Sequence, residues 1–557
     1  MYISGLADKL LRLLFPIALC LTAYLYLYPA FHGCVFPAKD ASTVTAFIET
    51  VAQHWGSFRG SHASHGPSRI PFRLLVLADP QLEGDSSLPK PEDGFIPKLG
   101  RHWTRLRATE SQEIFLNILL TAREIWLHDF PEALQALRKR LDLFGNDHYL
   151  GHVYRVLHWW TMPTHVTVLG DLIGSQWVTD EEFDWRGWRF WNRVFGKGQK
   201  VENEIWTMEN KEEEKIFDMN DTSWTNNIIN IAGNHDVGYA GDISRHRMER
   251  FERVFGRANW DVRFQYPRTN GTLTGQETSV PPSLHLIVLN SLILDTPALS
   301  EDLQAETYDY LNGLISHRLR PVEDHSSFTL LLTHLPLHKK KGICTDAPFF
   351  DYWGNDDGGG VYKPRGLKEQ NHLSEYVSHQ GTLEALFGMS GNLDAPAHGQ
   401  GRHGLILTGH DHEGCDVWHF IPSDSVWSGS SQDIEEDRKT KWDTVRWKEA
   451  NGSDSHTGLR ELTLRSMMGD YGGNAGLLSA WFEFETGEWK YNVHMCGLNL
   501  KVWWAVHVVD LVAIGFLLFS LVRSSLIAIT SQPAESKHGS STKKTNTPGR
   551  QTKSLVD

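Results

Sequence analysis

The chain has 557 residues, a hydrophobic fraction of 40% and a formal net charge of −14. This length and an apolar content that includes 21 Trp and 26 Phe are enough for a large buried core. The negative charge argues against nucleic acid as a partner, because a phosphate backbone attracts basic proteins. It leaves open a single phosphate group held by metal ions.

Two segments, one near each end of the chain, are apolar enough to cross a membrane. Residues 10–31 show no small-residue cleavage site, which favours an uncleaved anchor over a signal peptide. Residues 502–522 include two Trp near their start, as in an interfacial aromatic belt. We therefore predict a cytosolic N-terminus at 1–9, transmembrane helices at 10–31 and 502–522, and a disordered tail at 523–557.

Basic residues predict the orientation of both spans. Lys9 and Arg12 flank the first span, and Arg523 with five more Lys and Arg follow the second. Both termini are therefore predicted to be cytosolic, and the intervening chain to be lumenal. We divide the lumenal part into a linker at 32–70, a catalytic domain at 71–490 with a polar insertion near 423–456, and a juxtamembrane segment at 491–501.

Sequons and cysteines agree with a lumenal location. Glycosylation acceptor triplets begin at Asn220, Asn270 and Asn451. Four of the five cysteines would lie in the lumen, an oxidising compartment where disulfides form. Four cysteines allow three connectivities, of which we predict the one with Cys34–Cys496 and Cys344–Cys415.

Five apolar runs along the chain each end on polar side chains of metal-ligand type. The polar residues are Asp79 and Gln81, Asp171, Asn234 with His235 and Asp236, His334, and His410 with His412. Such runs predict buried strands of an α/β sheet, and ligands collect at the carboxyl ends of these strands. A lone His in such a place is more often structural, but five junctions of one kind indicate a shared site.

The chemistry of this set indicates divalent metal. Carboxylate, imidazole and amide oxygen together suit Mn, Fe or Zn, whereas a thiolate-rich set would indicate structural zinc. The set is large enough for two ions that share one carboxylate. Away from these junctions, the sequence predicts a helix over 104–141 that Pro131 breaks or kinks, and an irregular loop over 353–366.

The motif order D-x-(H/Q), GD, GNHD, H, GHxH resembles that of the calcineurin-like metallophosphoesterases over residues 72–484. The resemblance implies an α/β four-layer sandwich, with two mixed β-sheets flanked by helices, here between two transmembrane helices. It also implies two divalent metal ions, with Mn favoured and Zn or Fe as alternatives. The implied ligands are Asp79, Gln81, Asp171 and His412 for one ion, and Asp171, Asn234, His334 and His410 for the other.

The same resemblance gives His235 a role in stabilising the phosphate or protonating the leaving oxygen, with Asp236 positioning it. Gln81 departs from the family, where most members carry His, so direct ligation and contact through water both stay open. Arg365, in the loop over 353–366, is a candidate for binding a substrate phosphate.

Further segments, among them LADPQLEGD and GDYGGNAGLLS, resemble membrane-anchored fungal phosphoesterases that remove ethanolamine phosphate from glycosylphosphatidylinositol (GPI) glycans. This branch implies GPI glycolipids or GPI-anchored proteins as substrates and the cargo-export machinery as a partner. It implies the membrane of the endoplasmic reticulum or early Golgi as the location.

The residues alone leave other functions open. A lumenal phosphomonoesterase, or a nucleotide or lipid-headgroup phosphodiesterase, could use the same ligands. A non-catalytic cargo adaptor would normally have lost ligands, and only Gln81 departs from the family pattern.

Overall fold

The structure is a computed structural model of the whole chain. It describes residues 2–39, 42–58, 70–84, 91–109, 113–202, 205, 215–267, 280–344, 349–358, 360–422, 425–426, 442–450 and 458–530. The chain divides into two compact units, one formed by Met1–Leu25 with Trp504–Asp557 and the other by Tyr26–Trp503.

The helices are α1 (Tyr2–Tyr26), α2 (Tyr28–Phe31), α3 (Thr43–Phe58), α4 (Phe95–Arg107), α5 (Ile114–Glu124), α6 (Phe130–Thr161), α7 (Asp180–Arg189), α8 (Asn234–Val237), α9 (Arg245–Phe255), α10 (Glu301–Ser316) and α11 (Leu500–Thr530). The strands are β1 (Phe72–Leu77), β2 (His165–Val168), β3 (Gln199–Lys200), β4 (Ile216–Asp218), β5 (Asn227–Asn230), β6 (Trp260–Gln265), β7 (Ser283–Leu289), β8 (Ser327–Thr333), β9 (Phe350–Tyr352), β10 (Leu367–Gln370), β11 (Gly404–Thr408), β12 (Cys415–Phe420), β13 (Asp443–Arg446), β14 (Gly458–Thr463), β15 (Asn474–Glu483) and β16 (Glu488–Gly497).

The first unit contains the two helices long and apolar enough to cross a membrane. The apolar stretches are Ala7–Tyr26 in α1 and Leu500–Ile527 in α11. The Thr22 hydroxyl donates to the Asp510 carboxylate at 3.0 Å, and the Arg523 guanidinium donates to Asp8 at 3.1 Å. Polar side chains in apolar helices thus find partners on the facing helix.

The second unit is built on two mixed sheets. One has six strands in the order β16-β15-β1-β2-β5-β3, and the other has eight in the order β13-β12-β14-β11-β8-β7-β6-β4. In the first sheet β1, β2, β5 and β3 run parallel, whereas β15 and β16 are antiparallel to their neighbours. Helices flank the sheets, which confirms the predicted fold class.

The core lies between the two sheets because alternate residues of their strands are apolar. Phe72, Leu74 and Val76 of β1 belong to one cluster with buried side chains of β6, β7, β8 and β11. Successive side chains of a strand point to opposite faces, so the other residues of β1 face outward to the helices. The polar loops follow the carboxyl ends of five of these strands, β1, β2, β5, β8 and β11.

Two disulfides join distant parts of this unit: Cys34 pairs with Cys496, and Cys344 pairs with Cys415. The sequon residue Asn220 is exposed just after β4. The sequons at Asn270 and Asn451, and most of the predicted insertion 423–456, lie outside the described residues.

The predicted helix over 104–141 is divided at a different place. It ends at Arg107 and begins again at Ile114, and it then passes Pro131 without ending, because a π-helical segment at Ile125–Asp129 precedes the proline. A π-helical turn changes the hydrogen-bonding pattern where a proline would otherwise clash with the preceding turn.

Candidate metal centre

Every predicted ligand lies just beyond the carboxyl end of a strand. Asp79 follows β1, Asp171 follows β2 and Asn234 follows β5 in one sheet, while His334 follows β8 and His410 follows β11 in the other. The two sheets pack face to face with these strand ends on one side, so both contribute to a single site. The isolated bridge between Leu82 and Ile173 holds the first two loops together beyond the strands.

The loops adopt strained backbone at the ligands. Asp79, Gln81, Asp171 and His410 have positive φ values of 51, 40, 50 and 73°. A non-glycine residue in this region costs about 1–3 kcal/mol, so the surrounding contacts must hold it there. One such contact is the hydrogen bond that the backbone nitrogen of Gln81 donates to the backbone carbonyl of Asp171 at 2.9 Å.

Two glycines allow the loops to approach closely. A Cβ on Gly233 would collide with the backbone nitrogen and the carboxylate of Asp171, and a Cβ on Gly170, where φ is +90°, would collide with the His334 ring. Neither position can carry a side chain while the loops stay in place.

One group of ligands surrounds Asp79, Asp171 and His412, whose ligand atoms all lie within 4.8 Å of one another. The Gln81 side-chain amide lies between two of them: its nitrogen is 3.0 Å from an Asp171 carboxylate oxygen and 3.0 Å from His412 Nε2. The structure therefore brings Gln81 to the same group.

A second group surrounds Asn234. Its side-chain oxygen is 2.9 Å from His334 Nε2 and 3.0 Å from His410 Nδ1. His334 Nε2 is also 3.4 Å from Asp171 Oδ1. Asp171 thus contacts both groups, as a shared carboxylate must.

The histidines of the second group are neutral and oriented. Burial lowers the pKa of His334, and it lowers the pKa of His410 to about 3. The other ring nitrogen of each faces a backbone carbonyl, Leu169 at 2.8 Å for His334 and Gln370 at 2.9 Å for His410. A neutral imidazole donates its one proton to such a carbonyl, which leaves the nitrogen facing Asn234 with a lone pair.

These residues fit a bound cation. The two imidazole lone pairs converge on the Asn234 oxygen, itself an acceptor, and this arrangement is repulsive without a positive charge between them. Asp79 is fully buried, and within the described part of the chain its Oδ2 has no hydrogen-bond partner. Burial, and then the charge of Asp171, raise the pKa of Asp79 well above its ordinary value. A divalent ion relieves both conflicts.

His235 and Asp236 lie beside this centre in different environments. The His235 side chain is 38% exposed, and its Nε2 is 3.8 Å from Asp171 Oδ2. Its backbone nitrogen donates to Asp171 Oδ1 at 2.8 Å. Asp236 is fully buried and accepts hydrogen bonds from the backbone nitrogens of Leu172, Ile173 and Gly233.

Three residues that were not predicted from the sequence as site residues also support the centre. The Gln370 carbonyl orients His410, the Tyr471 ring lies 4.8 Å from that of His412, and the Ser466 hydroxyl donates to the Asp79 carbonyl at 3.0 Å. Ser466 and Tyr471 follow β14, which runs parallel to β11, so their position after a strand was the available signal. Gln370 acts through its backbone, and no side-chain pattern marks it.

Arg365 lies exposed in the loop over 353–366, which has no regular structure among its described residues. Its φ of 62° and the hydrogen bond from its backbone nitrogen to the Trp353 carbonyl fix its backbone. Its contact with a substrate phosphate stays a prediction.

Comparisons with known proteins agree with this chemistry. The chain is 29% identical over 539 residues to Protein TED1 of Saccharomyces cerevisiae, which covers 88% of this chain and 93% of that protein. It is 28% identical over 299 residues to Uncharacterized protein C23A1.02c of Schizosaccharomyces pombe, covering 52% of this chain and 60% of that one. It is 24% identical over 116 residues to Metallophosphoesterase 1 of Cricetulus griseus, covering 21% and 23%.

No family model matches the chain. Among solved structures, "GAP50 the anchor in the inner membrane complex of Plasmodium" has 8% identity and a TM-score of 0.25, covering 63% of this chain and 69% of that one, which is too distant to bear on the fold. The similarities confirm the predicted resemblance to metallophosphoesterase-like fungal proteins. That resemblance implies divalent metal, and the two apolar helices indicate association with a membrane.

Proposed function

We propose that this protein is a dinuclear metal-dependent phosphodiesterase of the endoplasmic reticulum lumen. It removes ethanolamine phosphate from a mannose of GPI anchors and so supports export of GPI-anchored proteins. The observation that carries the enzymatic part is the position of Asp171, which contacts both the Asp79–Gln81–His412 group and the Asn234–His334–His410 group.

The donor set determines which metals fit. Within the two groups the donors are carboxylates, imidazoles and amides, a combination that favours Mn and also accepts Zn or Fe. When bound, two such ions supply a Lewis acid that neutralises the phosphoryl oxygens. Each ligand group can hold one ion, with Asp171 common to both.

The protein's own residues then divide the remaining work. His235 is exposed enough to reach a substrate and close enough to Asp171 to act at the same centre. A positioned imidazole can hold the proton that the leaving oxygen needs. The Asp236 carboxylate keeps the segments after β2 and β5 together by accepting from the backbone nitrogens of Leu172 and Ile173, and this fixes the hydrogen bond between His235 and Asp171.

The compartment and the substrate rest on other observations. Two disulfides within the large unit favour an oxidising compartment, and the sequon residue Asn220 is accessible for glycosylation. Two apolar helices suit an enzyme whose substrate is itself anchored in lipid. The choice of a GPI glycan follows the resemblance of the sequence to the fungal GPI phosphoesterases.

Hydrolysis by the purified full-length protein tests this proposal. Metal-stripped protein is reloaded with Mn and offered a GPI glycolipid bearing ethanolamine phosphate, beside nucleotides and phosphoproteins. We expect metal-dependent release of ethanolamine phosphate that is abolished in Asp171→Ala. Asp184→Ala, which removes an exposed carboxylate paired with Arg253, is the matched control and should keep full activity.

Two results would contradict the proposal. Cleavage of nucleotides or phosphoproteins without cleavage of the glycolipid would assign another substrate. Fewer than one bound ion per chain after Mn loading would favour a non-catalytic adaptor.

In cells that lack the protein, mass spectrometry should find GPI glycans with an extra ethanolamine phosphate.

A further inference from the structure

A long helical segment before β2 exposes many large apolar side chains. We call residues 95–109 and 113–144 the helical arm; it comprises α4, α5, the π-helical segment and the first half of α6. Its exposed large apolar residues are Ile96, Trp103, Ile114, Phe115, Leu116, Ile118, Leu119, Leu120, Trp126, Leu127, Phe130, Leu134, Leu137, Leu141 and Phe144. A soluble surface rarely exposes so many together, and a large apolar patch marks an interaction site.

The arm is held together by polar contacts. Lys98 pairs with Glu132 at 2.6 Å, His102 pairs with Asp129 at 2.7 Å, and Arg105 pairs with Glu124 at 3.1 Å. These contacts join α4 to α5, to the π-helical segment and to α6, and both His102 and Asp129 are buried. Helices of a water-soluble protein normally pack through apolar faces and expose polar ones. The arm largely reverses this order, so its surroundings are expected to be apolar.

The position of the arm indicates what those surroundings are. The second half of α6 is buried in the large unit, and it contacts the first and the last residue of that unit's chain. The Tyr26 ring lies 5.4 Å from that of His152, and the Trp503 ring lies 5.9 Å from that of Tyr149. Tyr26 and Trp503 border the chain of the other unit, which contains the candidate membrane spans. The exposed half of α6 ends at Phe144, about 7.5 Å along the helix from Tyr149 at 1.5 Å per residue.

We propose that the helical arm lies in the interface of the membrane that the two terminal helices cross. Its apolar side chains contact the lipid acyl chains, and its basic side chains contact the phosphate headgroups. Residues 95–144 contain eight Lys and Arg against six Asp and Glu, whereas the whole chain has a net charge of −14. An apolar face combined with basic residues is the composition of interfacial helices.

A lipid surface fits the arm better than a helical partner. A coiled-coil partner needs one narrow seam, and Leu127, Phe130, Leu134, Leu137, Leu141 and Phe144 follow such a spacing of three and four. In α5, however, Phe115, Leu116, Ile118, Leu119 and Leu120 are consecutive or nearly so and therefore project from several sides of the helix. Arg107 lies over the Trp103 ring at 5.0 Å, and both residue types are common at membrane interfaces.

Fluorescent labels in the full-length protein test this placement without any substrate. Cys20, the one free cysteine, is replaced by Ser, and an environment-sensitive dye is attached to Leu120→Cys or to Leu137→Cys. The control is Tyr376→Cys, which is also exposed, at 70% against 50% for Leu120 and 53% for Leu137, but lies outside the arm. Each protein is placed singly in a nanodisc whose lipids carry a nitroxide quencher on the acyl chain.

We expect the dyes at 120 and 137 to shift to shorter wavelength and to be quenched, and the dye at 376 to do neither. Lack of quenching at 120 and 137 would overturn the proposal. A wavelength shift without quenching would also overturn it, because a second protein surface would then cover the arm. The proposal goes beyond the proposed hydrolysis, and its outcome does not depend on whether any phosphoester is cleaved.

Discussion

His235 differs from the buried ligands Asp79, Asp171 and His334 because its side chain is 38% exposed and only its backbone nitrogen hydrogen-bonds Asp171. A proton donor must reach the substrate, whereas a ligand must be fixed and desolvated. Burial separates His235 from these three ligands, whereas Gln81, His410 and His412 are partly exposed as well.

We predict that His235→Asn lowers the hydrolysis rate by about 10²–10⁴-fold, the usual contribution of a general acid. Metal content, measured by mass spectrometry, should stay unchanged. The loss should be much smaller for a substrate that releases p-nitrophenol, because this leaving group needs no proton. An equal loss for both substrates would contradict the assignment.

Gln81 stands where most members of the resembled family carry His. A neutral amide is a weaker ligand than an imidazole, so Gln81→His should strengthen metal binding at the group formed by Asp79, Asp171 and His412. We expect the variant to withstand a higher chelator concentration before activity is lost. Gln199→His, on an outer strand where Gln199 bonds Asn227, is the control and should behave like the parent. Identical chelator sensitivity in all three proteins would show that position 81 does not tune the metal.

A buried ion network in the second sheet supports stability. Glu461 accepts from Lys339 at 2.9 Å and contacts His419 at 2.6 Å, and all three are buried. Burial opposes ionisation, but Lys339 and His419 outweigh it and hold the pKa of Glu461 at about 2. Because this pKa is depressed, the stabilisation is complete above about pH 4.3 and is lost as pH falls through about 2.

We predict that Glu461→Gln destabilises the protein by about 3–5 kcal/mol, since it leaves the buried Lys339 charge without its carboxylate. Thermal unfolding at neutral pH measures the effect. Glu306→Gln removes an exposed partner of Arg245 and should change the melting temperature little. If the two variants melt together, the network does not stabilise the fold.

At the scale of elements, the strand ends could be predicted because each apolar run is short, continuous and followed by a ligand-type residue. The left-handed backbone at Asp79, Asp171 and His410 could not be, because nothing in these side chains requires it. It is imposed by the approach of loops from two sheets. The carbonyls of Leu169 and Gln370, which orient the histidines, are equally invisible in sequence because every residue has one.

The helical arm shows the limit of periodicity as a signal. Apolar residues at spacings of three and four predict a helix with one buried face, and the helix is present. Periodicity does not say what covers that face, and here the described part of the domain leaves it exposed.

We predict that the double variant Leu134→Glu and Leu137→Glu raises KM for a glycolipid embedded in a bilayer by at least about tenfold. Withdrawing one leucine from an apolar environment costs about 1.5–3 kcal/mol, enough for that change. Hydrolysis of a small water-soluble phosphodiester should be unaffected, because the substituted residues are exposed and lie outside the site. Tyr376→Glu is the control. Equal losses on both substrates would indicate a folding defect instead.

At the scale of the whole molecule, the two mixed sheets were expected from the family resemblance that the motif order carries, whereas the residues alone predicted only strand ends that share a site. Composition was enough to predict the two apolar helices at the ends. The disulfide between Cys34 and Cys496 is a long-range feature of the folded chain. It concerns residues 462 apart in sequence, and only folding brings their Cα atoms to 5.5 Å.

That disulfide makes the chain from Cys34 to Cys496 a closed covalent ring. A protease cut within the ring, for example at a site engineered into the turn over 484–487, opens it without releasing either piece, and only reduction would separate them on a gel. No single cut inside the ring therefore releases the domain from its anchors, whereas one cut in each of the short stretches 27–33 and 497–503 releases it with the ring intact. A pull transmitted between the two anchors would likewise pass through the sulfur–sulfur bond and leave the folded domain unloaded.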